Sequence, residues 1–100
     1  MTQYTIPLAQ LPNQEFNIEL NGQQCEFKFI TRGVYMYMNL TVDGNNLING
    51  QICLNNVDLI QYKALKFKGR LYFTDTQGNL DPLYYGLNDR WLLIFEDDNV

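Results

Sequence analysis

The chain contains no histidine. That absence removes Ser-His and Cys-His dyads, histidine-bearing zinc sites and the commonest general base. Cysteine is scarce as well. Cys25 and Cys53 stand alone, too few for the usual structural zinc set. The start, Met1-Thr2-Gln3-Tyr4, lacks the basic and apolar blocks of a secretory signal. Together these features predict two free, buried thiols in a reducing compartment rather than a disulfide. No Gly-rich phosphate loop is present, and no apolar run approaches the roughly 20 residues that a membrane helix needs. Positive charge is in the minority, with 7 Lys and Arg against 11 Asp and Glu and a net charge of −4. Phosphate binding needs a cationic face, so direct nucleic-acid binding is not expected.

Charge of either sign is sparse. Charged residues make up 18% of the chain, against a usual share of about 25%. Hydrophobic residues make up 46%, with seven Tyr and six Phe. A surface short of charge is one that expects to be covered. Tyr is enriched at protein interfaces, although aromatics also serve the sheets of an all-β fold. The 100 residues fit one domain spanning positions 1–100. A chain of this size buries roughly 60–70% of its unfolded surface, and any long open strand edge would tend to pair with a neighbour.

Periodicity predicts the elements. Phe16, Ile18 and Leu20 alternate with Glu15, Asn17 and Glu19, the period-two pattern of a half-buried strand. Asn21-Gly22 follows, and both residues tolerate the positive φ of a type I′ hairpin turn. Cys25, Phe27 and Phe29 then alternate with Gln24, Glu26 and Lys28. A two-residue turn places Leu20 opposite Gln23, Ile18 opposite Cys25 and Phe16 opposite Phe27, with Glu15 meeting Lys28 on the other face. Thr31-Arg32-Gly33 reads as the connection to the next stretch, in which Val34, Met36, Met38, Leu40 and Val42 alternate with Tyr35, Tyr37, Asn39 and Thr41. An even loop pairing Ile30 with Tyr35, Met36 with Phe29 and Met38 with Phe27 extends the apolar face over three strands. Tyr35 and Tyr37 then share the reverse face, which is either covered by the rest of the chain or used for contact.

Asp43-Gly44-Asn45-Asn46 reads as a turn cluster. A fourth strand is expected over about residues 47–54, weakened by Gly50. Residues 57–68 are ambiguous between a short helix and an irregular crossing. Residues 70–75 read as a strand, 76–82 as a polar loop, 83–87 as a short extended piece and 91–95 as a last apolar strand. Short strands at regular spacing predict a small all-β, antiparallel barrel or sandwich built from hairpins.

Candidate chemistry is thin. Asp75 and Asp81 flank a loop, and Asp89, Glu96 and Asp97 lie later; they read as solvated acids beside turns rather than an acid–base pair. The segment from Asp75 to Asp81 alternates oxygen-bearing residues, but its Gly is misplaced for an EF-hand and Gly86 stands where the closing Glu belongs. No enzyme, metal or cofactor is expected. Lys63, Lys66, Lys68 and Arg70 fall within eight residues with no acid among them. They read either as a docking patch for an acidic neighbour or as cations guarding an edge strand.

The order of features across nearly the whole chain resembles the small baseplate plug proteins of phages with contractile tails. It is carried by Ile6-Pro7-Leu8, Asn13-Gln14-Glu15-Phe16, Leu20-Asn21-Gly22, Tyr35-Met36-Tyr37-Met38 and Asn55-Asn56-Val57-Asp58-Leu59. Leu71-Tyr72-Phe73-Thr74-Asp75, Asp81-Pro82, Tyr84-Tyr85-Gly86-Leu87 and Arg90-Trp91-Leu92 continue it. The resemblance implies a structural virion protein at the baseplate centre, assembled in the host cytoplasm and helping to close the end of the tail tube. Its expected partners are hub, tail tube and spike proteins and further copies of itself, a trimer being one form of homo-oligomer. It implies no cofactor and no catalytic residue. The contact candidates are Tyr35, Tyr37, Tyr84, Tyr85 and Trp91, for each of which ordinary core is the alternative, most of all for Trp91, together with Lys63, Lys66, Lys68 and Arg70, whose partner the resemblance does not identify.

Two other functions compete. Asp81, Tyr84, Tyr85, Asp89 and Trp91 form a local set able to stack on and hydrogen-bond a sugar, as in a host-attachment module. The acidic balance also fits an inhibitor or immunity-type protein that neutralises a basic enzyme, although the cations from Lys63 to Arg70 speak against a uniformly acidic face.

Overall fold

A computed structural model describes residues 3–60, 67 and 69–96. Among these described residues there are seven strands: β1 (Gln3–Ile6), β2 (Asn13–Leu20), β3 (Gln23–Arg32), β4 (Tyr35–Val42), β5 (Asn45–Ile52), β6 (Arg70–Asp75) and β7 (Trp91–Glu96). They form two antiparallel sheets, one in the order β2-β3-β4-β5 and the other β1-β7-β6. The fold is the expected all-β class, and the two sheets share one core as in a sandwich.

Three two-residue turns build the larger sheet. Asn21 and Gly22 have φ of 52° and 76°, the type I′ signature, and every predicted β2–β3 pair is present, Glu15 opposite Lys28 included. Asp43 and Gly44 repeat it at 51° and 81°, so β5 begins at Asn45 rather than after a four-residue turn. Gly33 has a φ of 63° and Val34 a negative one, which is the pattern of a type II′ turn. That turn corrects the β3–β4 register. Ile30 pairs with Tyr37, not Tyr35; Phe29 pairs with Met38, not Met36; and Phe27 pairs with Leu40, not Met38. Parity survives because the shift is two residues. Phe27, Phe29, Met36, Met38, Leu40 and Val42 are all buried on one face, with Phe16 and Ile18 half-buried beside them.

β5 carries an irregular register against β4. Gly50 lies within this stretch at a φ of 70°, and its N–H is accepted by Asn39 Oδ1 at 2.6 Å. The chain then leaves the large sheet and runs along β6, where Asn56 and Leu59 donate N–H bonds to the Phe73 and Leu71 carbonyls, both at 2.7 Å. Phe29 meets Phe73 edge-on at 5.8 Å, an aromatic contact between the two sheets. β7 fills the middle of the smaller sheet, with β6 on one side and β1 on the other. The β1 strand is a finding the sequence reading lacked. Its four residues pair with β7, far along the chain.

Candidate contact surfaces

The reverse face of the larger sheet divides into two halves. Toward the β2–β3 turn it is polar, with a depression of about 210 Å³ walled by Glu15, Glu26, Lys28, Asn39 and Asn46. Toward the β3–β4 turn it is apolar. Ile30, Tyr37 and Ile52 lie side by side across three strands and are half-buried. Beyond them Arg32 pairs with Tyr35 at the end of the hairpin. Tyr35 is 39% exposed, and Val34, expected to open the apolar alternation of this strand, lies in the turn instead and is 67% exposed. The fold therefore leaves Tyr35 and Tyr37 on the predicted side of the sheet, with the end nearest the turn open.

Tyr84 and Tyr85 occupy a 3-10 turn, Tyr84–Gly86, where an extended piece was expected. The extended backbone is confined to Leu83 and Leu87 on either side. Tyr84 is half-buried and Tyr85 is 63% exposed, with the two rings edge-to-face at 5.6 Å. Trp91 belongs to the core. It is 1% exposed, donates Nε1–H to the Leu80 carbonyl at 3.1 Å, and lies beneath the Arg90 guanidinium at 4.6 Å. A ring so placed offers no contact face. The sugar-binding set thus retains Tyr85 as its one open ring, and Asp81 Oδ1 accepts the Asn55 N–H at 3.0 Å.

Gly86 explains the tight turn. A Cβ there would come within 2.4 Å of the Trp91 ring, and that ring has nowhere to retreat in a packed core. Gly86→Ala is expected to lower stability by about 1–3 kcal/mol through overpacking, read as a lower midpoint in urea with the slope unchanged.

Asp75 was read as a solvated loop acid; instead it is buried and paired. Arg90 grips it with two bonds, Nε to Oδ1 and Nη2 to Oδ2, both 2.8 Å. The N–H groups of Gln77 and Leu80 donate to the same carboxylate at 2.8 and 3.0 Å. Arg90 first, and the two N–H groups after it, hold this carboxyl far below the usual carboxylate range. Its oxygens serve the architecture of the loop. Thr76 adds to the same junction by donating from both N–H and Oγ1–H to the Arg90 carbonyl, at 2.9 and 2.7 Å.

Folding also changes the cationic segment. Lys63, Lys66 and Lys68 lie outside the described residues. Arg70, however, meets Asp58 at 3.6 Å and Glu96 at 3.5 Å and lies over the Tyr72 ring at 5.5 Å. Acids distant in sequence offset the charge that looked unopposed there. Glu96 is itself held by Gln3 at 3.0 Å and Tyr72 at 3.2 Å, bonds that lower its pKa, the one from Gln3 most.

Neither thiol is poised to react. Burial pushes Cys25 up to about 11, with Asp43 adding to the shift, and burial raises Cys53 further still. Both therefore stay protonated near neutral pH, whereas the thiolate is the reactive form. Among the described residues no group of three or more Cys, Asp and Glu side chains is placed to hold a metal ion. No helix among them is long and apolar enough to cross a membrane.

The geometry is one of exposed apolar corners on a sandwich whose buried polar groups serve loop structure. Comparison with curated proteins gives no match. A family model described as cyanophage baseplate Pam3 plug gp18 matches residues 3–98, and the chain belongs to this baseplate plug family.

Proposed function

We propose that this protein is a structural part of a contractile-tail baseplate that plugs or caps the centre of the tube and hub by protein–protein contact alone. Family membership carries the reading. The open apolar surface around Val34, Tyr35 and Tyr37 and the exposed Tyr85 and Leu80 support it, because Tyr-rich patches on a charge-poor surface are what assembly covers. The partners are hub, tail-tube and spike proteins and other copies of this chain. Tyr35, Tyr37, Tyr84 and Tyr85 are the contact residues on this reading, and any role of Lys63, Lys66 and Lys68 is to meet an acidic neighbour. Arg70 keeps its guanidinium at its own acids. Assembly takes place in the host cytoplasm, where protonated Cys25 and Cys53 remain free.

Co-expression with the tail proteins tests this directly. The tagged chain is expected to co-purify with a hub, tube or spike component, and tails assembled without it to lack closure at the tube end. A chain that binds none of these proteins, with tails complete in its absence, overturns the proposal.

A further inference from the structure

Among the described residues, two of the places that expose apolar side chains carry uncompensated charges of opposite sign. The first is convex. It is the β3–β4 turn with Val34 and Tyr35, and its charged side chain is Arg32, exposed and in no ion pair among the described residues. The second is concave. It is a groove of about 250 Å³ beside Leu80 and Tyr85, with Asp89 and Arg90 in its wall. The Arg90 charge is consumed by Asp75 at 2.8 Å. Exposed Asp89 makes no ion pair among the described residues, so it remains as the free charge.

We infer that these corners bind one another in different copies: the Arg32–Val34–Tyr35 turn of one molecule enters the Leu80–Tyr85–Asp89 groove of the next. The inference rests on the reading of this chain as a protein that works by contact, and it names the surface through which copies meet. A protruding turn fits a groove. Aromatic and arginine side chains are the usual anchors of such contacts, and a complementary charge pair at the rim fixes register and steers approach. Because the two surfaces differ, the contact is heterologous. It propagates past a dimer and closes into a ring where the rotation permits.

Charge reversal on the full chain tests it, with sedimentation velocity as the readout. The wild type is expected to form species larger than dimers that dissociate as salt is raised. Arg32→Glu and Asp89→Lys are each expected to weaken association by roughly tenfold or more. Neither side chain holds the fold, so circular dichroism and melting should stay as in the wild type. The decisive arm mixes the two single variants. Each brings the complement of the other's altered corner, so the mixture is expected to associate again, as is the double variant in one chain. A mixture that stays dissociated, single variants that associate like the wild type, or a wild type that is monomeric throughout each overturn the inference. Recruitment into tails separates this from the wider proposal. A monomeric wild type that still enters baseplates removes only the copy-to-copy contact, whereas one that does neither removes both.

Discussion

Phe29→Ala is expected to be among the most damaging truncations in the molecule, lowering stability by about 3–5 kcal/mol. Phe29 is fully buried. Its ring lies parallel to Phe27 at 5.9 Å and meets Phe73 of the opposite sheet edge-on at 5.8 Å. Truncation therefore removes apolar area and opens a cavity between two sheets that cannot both collapse into it. For a domain this size the melting midpoint should fall by roughly 15 °C or more. Trp91 is the single tryptophan and is buried, so its fluorescence reports the transition. Val34→Ala, at an exposed turn position, should change stability by no more than about 0.5 kcal/mol. A loss below about 1 kcal/mol for Phe29→Ala contradicts the placement of this ring at the junction of the sheets.

Asp75→Asn is expected to come next, with a fall in melting midpoint on the order of 10 °C at neutral pH. The amide keeps the shape but loses the charge, and its NH2 is turned toward groups that are themselves donors, namely Arg90 and the N–H groups of Gln77 and Leu80. The acid limb gives a second readout. Asp75 and Glu96 both have lower pKa values in the folded protein than the ordinary 3.8 and 4.5. Below those ordinary values the unfolded chain binds more protons than the folded one. Stability is therefore fully present above about pH 5 and drains away as pH falls through the folded values. Asp75→Asn should flatten this limb as well as lower the plateau. A variant with the wild-type acid limb would mean that the Asp75 carboxylate gains nothing from its partners.

The parts legible in the sequence were those in which a local turn and a local pattern agree. Asn21-Gly22 fixed the β2–β3 register because positive φ at both positions permits one short turn and one pairing. The β3–β4 register slipped by two because Thr31-Arg32-Gly33 was read as the connection, whereas Gly33-Val34 turns the chain and leaves Arg32 in the strand. The error was harmless to the core, since a shift of two keeps every side chain on its own face. β1 had no such local signal; its pairing partner lies some ninety positions away, and four residues are too few to show a period.

The candidate surfaces divided along the same line. Tyr35 and Tyr37 were placed correctly on the reverse face by parity alone. Burial of Trp91 depends on Gly86 and Arg90 folding over it, and the Asp75–Arg90 pair joins residues fifteen positions apart through a loop of no periodicity. Arg70 looked unopposed because Asp58 and Glu96 reach it only through the fold. In each case the missing information was a long-range contact, which composition and spacing do not encode.

Electron cryomicroscopy of intact tails addresses the assignment most directly. Density for this chain is expected at the axis of the baseplate, at the tube end, with the Val34–Tyr35–Tyr37 corner buried against neighbouring protein. Complete baseplates in which the chain is absent, or in which it sits at the periphery with that corner facing solvent, would contradict the proposed role as a plug.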